Sequence, residues 1–143
     1  MRDVTEPAYN TTAMLGRAYS RLGHEIVAGV ERAGFPQRPA HSNVFAHIDP
    51  DGTRLSVLAN RANITAPAMK ELVDDLERLG YVRRASDPSD GRAKLVVPTE
   101  RGLAALQAGL ATIVEIEQDL EQLLGPTTLA RLRRALERIL GDA

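Results

Sequence analysis

Three consecutive residues, Asn63-Ile64-Thr65, constrain this chain more than any other feature. They interrupt the stretch LANRANITAPAMKELVDDLERLGYVRR, Leu58 to Arg84. Before them, Leu55, Leu58, Ala59 and Ala62 recur at three-to-four spacing, so a short helix is predicted. Asn63 tolerates the left-handed backbone that ends a helix. Ile64 is positioned to plug a core, and Thr65 is a good N-cap for a second helix. Pro67 then falls in the first turn, where its missing N–H costs nothing. Met69, Leu72, Val73, Leu76 and Leu79 line one face of that second helix, and Gly80 ends it. Short helix, tight turn, longer helix is the helix-turn-helix pattern.

Beyond Gly80 the chain reads as a hairpin. YVRRA and AKLVV are β-like segments separated by SDPSDG. The connection exceeds two residues, so it is expected to project from the body. Pro98 ends the second strand and Thr99 is suited to cap a further helix. Upstream, DPDG (Asp49–Gly52) is a turn by composition. A short helix over Pro39–Ile48 is predicted, with Val44, Phe45 and Ile48 inward.

Long helices flank this unit. Leu15, Tyr19, Leu22, Ile26, Val30 and Ala33 form one stripe between about Asn10 and Ala33. Gly34 and Pro36 stop that helix. From Leu103 a second stripe runs through Leu106, Leu110, Ile113, Ile116, Leu120 and Leu123. Gly125 and Pro126 break it, and a last helix carries Leu129, Leu132, Leu136, Ile139 and Leu140. A small helix-turn-helix core cannot cover all this apolar surface. A second copy of the chain is the simplest cover, which predicts a two-fold dimer. The fold expected is mainly α, a winged helix-turn-helix with a small hairpin wing between N- and C-terminal dimerisation helices. Residues 1–9 read as a loose tail, 10–35 and 99–143 as the dimerisation region, and 36–98 as the DNA-binding unit.

Charge refines the functional reading. The 143 residues carry a formal net charge of -1, and the pI is about 6.3. Arg78 to Arg101 nonetheless holds six basic residues against three acidic ones, a local +3 on a mildly acidic chain. Such a patch suits a small, directed contact with a polyanion. Cysteine is absent, which excludes disulfides, thiol chemistry and Cys-ligated zinc. It also fits a cytoplasmic setting. No long apolar run points to a signal peptide or a membrane span. His24, His41 and His47 are the only histidines. His41 and His47 are six residues apart, so they do not share a helical face and no metal site is expected. No phosphate loop, HExxH or Ser/His/Asp order occurs, and neither enzymatic activity nor a cofactor is expected.

The run from about Leu55 to Leu106 resembles the winged helix-turn-helix of the MarR family of bacterial transcription regulators. The family's wing reads Asp-x-x-Asp-x-Arg, a short apolar strand, then Thr-x-x-Gly. Here these are Asp87, Asp90 and Arg92, Leu95 to Val97, then Thr99 and Gly102. The resemblance implies a homodimeric, sequence-specific DNA-binding regulator, expected to be a repressor, on a pseudo-palindromic operator in double-stranded DNA. A winged helix lays its hairpin over the minor groove and its second helix in the major groove. Arg92 is the expected minor-groove guanidinium. Asp90 is expected to hold that guanidinium, and Gly91 to permit the turn between them. Arg83, Arg84 and Lys94 are expected near phosphates.

Base edges would be met by Thr65, Ala66, Pro67, Ala68 and Lys70. Glu71, Asp74 and Asp75 would repel phosphates, so the helix should enter by its tip. Asp74 is expected to pair with Arg78 at i+4. The resemblance also implies release of DNA by a small effector, often an aromatic or phenolic anion, in a crevice lined by Tyr19, Leu22, Ile26, His41, Phe45 and Leu106. A thiol peroxide sensor is excluded by the missing cysteines. An alternative stays open: a winged-helix dimer serving as a protein-interaction module with weak DNA affinity.

Overall fold

The computed structural model describes residues 1–142. In chain order the elements are α1 (Thr11–Arg32), a 3-10 turn (Pro39–His41), α2 (Ser42–Phe45), β1 (Thr53–Arg54), α3 (Leu55–Ala62), α4 (Ala66–Arg78), β2 (Val82–Asp87), β3 (Asp90–Pro98), α5 (Glu100–Leu124) and α6 (Pro126–Leu140). The fold is the mainly helical winged helix-turn-helix that the sequence predicts.

The α3–α4 turn follows its residue chemistry. Asn63 is left-handed (φ 54°). The Asn63 N–H bonds to the Asn60 carbonyl at 3.2 Å and the Ile64 N–H to the Ala59 carbonyl at 3.1 Å. This pair of crossed bonds is the Schellman ending. The Thr65 hydroxyl accepts from the Ala68 N–H at 3.2 Å and caps α4. The same ending closes α1 at Gly34 and α4 at Gly80, both at positive φ. There the Phe35 N–H reaches the Val30 carbonyl at 3.1 Å, and the Tyr81 N–H reaches the Leu76 carbonyl at 2.9 Å. Each ending delivers the next residue, Phe35, Ile64 or Tyr81, onto one core. Helix termination and core packing are thereby the same event.

That core joins Val44, Ile48, Leu58, Met69, Val73, Leu76, Tyr81 and Val96. Tyr81 is its hub. Its ring is fully buried, meets Phe45 edge-on at 5.8 Å, and donates its hydroxyl to the Pro36 carbonyl at 2.7 Å. Burying side chains of this size stabilises by about 1.5–3 kcal/mol each. Leu79, expected on the inner face of α4, is instead exposed. It is the C-cap residue, where the chain already turns away towards Gly80.

The sheet has three antiparallel strands in the order β1-β3-β2. β1 is a third strand that periodicity does not reveal, since two residues carry no pattern. It pairs Thr53 with Val96 and Arg54 with Leu95. The hairpin connection is shorter than expected. β2 and β3 pair as far as Asp87 and Asp90, leaving a two-residue turn at Pro88–Ser89. The Asp87 carboxylate closes that turn by accepting from the Ser89 N–H at 2.9 Å and from its hydroxyl at 2.7 Å. Both aspartates thus belong to the strands, and a register irregularity at Ser86–Asp87 twists the hairpin tip.

The long helices pack differently from the leucine stripes. α5 buries Gly102, Ala105, Thr112 and Ile116, a face of mostly small residues. Leu103, Leu110 and Leu123 stay 40%, 61% and 78% exposed. Small residues win because α1 crosses very closely. A β-carbon on Gly29 would lie 2.3 Å from the Thr112 hydroxyl oxygen. At the start of α5, a β-carbon on Gly102 would lie 2.0 Å from the Tyr81 carbonyl oxygen. On α1, Val27 and Val30 are buried, while Leu15 and Tyr19 are exposed. α6 folds back with Leu129 buried and Ile139 and Leu140 exposed.

Candidate nucleic-acid interface

The tip of α4 presents Thr65, Ala66, Pro67, Ala68 and Lys70, all exposed. The Thr65 hydroxyl, already accepting as the cap, keeps its own proton for donation. Ala66, Pro67 and Ala68 offer only carbon, which can meet a thymine methyl but cannot read a hydrogen-bonding edge. Lys70 pairs with Asp74 at 2.8 Å.

The acidic residues of α4 are largely taken up. Asp74 accepts from Lys70 and also from Arg84 at 2.7 Å, and these hydrogen bonds lower its pKa. Asp74 does not pair with Arg78, as spacing alone suggests. Arg78 pairs with Asp75, which also holds Arg38. The strand residue Arg84 reaches back over α4 and outcompetes the i+4 partner for Asp74. Arg84 also bonds Glu77 at 2.7 Å. It therefore straps the wing to the recognition helix rather than standing free. Arg83 is exposed, and the exposed Lys94 ammonium lies 3.4 Å from the Ser86 hydroxyl.

At the wing, the two aspartates have roles other than those expected. Asp90 accepts from the backbone N–H of Arg92 at 3.1 Å, not from its guanidinium. Gly91 lies within β3 without a positive φ, and a β-carbon there would meet open space. The turn is made by Pro88–Ser89, so Gly91 is not needed for it. Arg92 is exposed, and its guanidinium makes no ion pair among the described residues. The tether is Arg54, which sequence reasoning missed. Its Nε donates to Asp87 at 2.9 Å and its second nitrogen lies 2.8 Å from the same oxygen. The Ser89 and Arg54 bonds hold the Asp87 carboxyl down at about 2. Arg54 is 33 residues away in sequence; the only hint was an arginine between a turn and a helix.

Of the six residues expected around an effector, the structure brings three together. Ile26, Phe45 and Leu106 line one crevice between α1, the 37–46 segment and α5. Tyr19 is exposed and Leu22 half-buried, and neither lines it, because both lie further towards the start of α1. His41 faces α4 instead. It is 2% exposed, and its Nδ1 accepts from the Arg38 N–H at 3.0 Å. Its Nε2 lies 3.6 Å from Asp75, too far for a hydrogen bond, and finds no other partner. Burial and the Arg38 charge push its pKa down to about 4. Asp75 does little to oppose this, since two arginines already share its charge.

Among the described residues, no helix is long and apolar enough to cross a membrane, and no three His, Asp or Glu side chains gather where they could hold a metal ion. The helix-turn-helix, the strapped hairpin and the exposed tips define a winged-helix protein of the DNA-binding class.

Comparison with known proteins finds a family match for part of the chain and structural likeness over nearly all of it. Residues 38–93 match the model described as the MarR family. A probable transcriptional regulator from Pseudomonas aeruginosa is 26% identical, with a TM-score of 0.75 over 92% of this chain and 97% of its own. The transcriptional repressor CouR bound to a 23-mer DNA duplex is 25% identical, with a TM-score of 0.77 over 98% and 99%. CouR from Rhodococcus jostii RHA1 bound to p-coumaroyl-CoA has a TM-score of 0.74 at 20% identity, over 97% of this chain and 95% of its own. No curated protein matches. The central part of the chain, residues 38–93, thus matches the MarR family, and the whole fold is similar to those of transcriptional regulators.

Proposed function

We propose that the chain is a homodimeric repressor that binds a pseudo-palindromic operator and lets go when a small molecule enters the crevice. The tip of α4 enters the major groove, and the wing lays Arg92 in the minor groove. The observation that carries this reading is the state of Arg92. It is an unpaired guanidinium at the end of a hairpin tied down twice, by Arg54 to Asp87 and by Arg84 to α4. A rigid mount lowers the entropy lost on insertion. With so little hydrogen-bonding capacity at the α4 tip, much of the specificity comes from groove shape and phosphate contacts involving Arg83 and Lys94.

The exposed apolar faces of α1, α5 and α6 support the dimer: Leu15, Tyr19, Leu110, Leu123, Ile139 and Leu140 have no cover within one chain. An isologous contact buries them and sets two wings symmetrically on one duplex. The effector reading rests on the 37–46 segment. It lines the crevice with Gln37, Ser42 and Phe45, and it grips α4 through Arg38 and Asp75. A ligand that fits one arrangement of this segment better than another shifts the position of α4.

The test is a selection from random duplex DNA, then titration of wild type and Arg92→Ala across a salt series. The expected result is an enriched palindrome, affinity that falls steeply with salt, and a loss of about tenfold, near 1.4 kcal/mol, in Arg92→Ala. A second reading, a protein-interaction module, draws on the carbon-only tip Ala66-Pro67-Ala68. It takes over if no sequence is enriched and Arg92→Ala changes nothing.

A further inference from the structure

The crevice between α1, the 37–46 segment and the first half of α5 has a volume of about 320 Å³. That lies at the small end of ligand sites, which run from about 300 to 1,000 Å³. We propose that it takes an uncharged, mainly apolar molecule with one hydrogen-bond donor, a phenol or an alcohol, and rejects carboxylates and phosphates. This rests on the effector reading and narrows it to a chemical class, one that departs from the anion the family resemblance implies.

The lining decides the class. Ile26, Val30, Phe45, Leu106, Leu110 and Ile113 make apolar walls. The polar side chains are Gln37 and Ser42, both on the same segment, so the crevice has one polar end. Ser42 donates its hydroxyl proton to the Pro39 carbonyl at 2.7 Å. Towards a ligand its oxygen offers lone pairs alone, and these need a donor. The half-buried Gln37 amide makes no hydrogen bond among the described residues and supplies a second contact of either polarity.

No Lys, Arg or His lines the crevice. The cation on this segment, Arg38, is engaged by Asp75, and the ring of His41 lies on the α4 side. An anion here would shed its water with no counter-charge to replace it, which opposes its entry. It would also face the Ser42 lone pairs. A phenol, with an ordinary pKa near 10, enters neutral at pH 7 and donates to Ser42.

The test uses the full chain and three matched probes. Methyl 4-hydroxybenzoate has the donor and no charge. 4-Hydroxybenzoate has the donor and a charge. Methyl 4-methoxybenzoate has neither. Calorimetry is expected to find the first bound at least about tenfold more tightly than the other two, a difference near 1.4 kcal/mol. Leu106→Trp, which fills the crevice, should abolish that binding while the circular-dichroism melt stays as in wild type. Ser42→Ala should narrow the gap between the two esters. Equal or tighter binding of 4-hydroxybenzoate overturns the proposal, as does binding by none of the three or binding that survives Leu106→Trp. Anisotropy of a labelled operator is read in parallel. Phenol binding without DNA release keeps the chemical class and removes the effector reading. Release by the carboxylate, sensitive to Leu106→Trp, keeps the effector reading and overturns the class.

Discussion

The reading head, Pro36 to Pro98, and the helical arms, α1, α5 and α6, use apolar residues in opposite ways. In the head, Leu58, Met69, Val73 and Leu76 are almost fully buried within one chain. In the arms, the closest packing belongs to small residues, Gly29 against Thr112, while large ones such as Leu123 and Leu140 point outward. A leucine in the head serves folding. Leucines of the arms such as Leu110, Leu123 and Leu140 are left uncovered by their own chain. An amphipathic stripe therefore identifies a helix without saying which of its faces the chain itself will cover.

The comparison can be broken by swapping what each region should tolerate. Leu58→Ala should cost about 4 kcal/mol in urea unfolding, as for a fully enclosed leucine. Leu123→Ser should instead weaken the proposed dimer, seen as a concentration-dependent midpoint and a shift in sedimentation. Equal, concentration-independent losses in both would abolish the distinction.

Next in size is acid sensitivity, which tests whether the head is as closed as it looks. His41 is held neutral, with its pKa lowered from 6.5 to about 4. Unfolding releases it to take a proton, so its contribution is complete above pH 6.5 and is lost as pH falls towards 4. The loss should reach up to about 3 kcal/mol. His41→Asn should flatten stability over that window; an unchanged slope would mean another group is responsible.

Gly29→Ala probes the arms alone. The new methyl collides with Thr112, and about 2 kcal/mol of destabilisation is expected. Thr112→Ala in the same chain should recover most of it, because the clash is with a side chain. Failure of that rescue would mean that the backbones themselves cannot separate.

Smallest is the cap of α4. Thr65→Ala should cost about 1 kcal/mol of stability, with a separate loss of DNA affinity if the hydroxyl also touches the duplex.

How legible each region is in the sequence depends on the distance over which its chemistry acts. Asn63, Thr65, Gly80 and Thr99 act on neighbours within a few residues, so the helix boundaries of the head can be read directly. Arg54 acts on Asp87, and Arg84 on Asp74, across 33 and 10 residues. Those pairings exist only once the sheet is built. The wing turn misleads because Asp87 and Asp90 have turn-forming side chains but strand backbones. The buried face of α5 is hidden because glycine, alanine and threonine leave little hydropathy signal beside a row of leucines.

The contacts at Tyr81 have a consequence for the length of the wing. The Thr99 N–H and the close approach of Gly102 bring the end of the hairpin to the Tyr81 carbonyl, and the Thr99 hydroxyl reaches the Gly80 carbonyl at 2.6 Å. The hairpin therefore starts and finishes at one point. Strands lengthened in steps of two residues keep their faces, and neither α4 nor α5 need shift. The base of the wing is thus pinned at a single point, whatever the length of the strands beyond it.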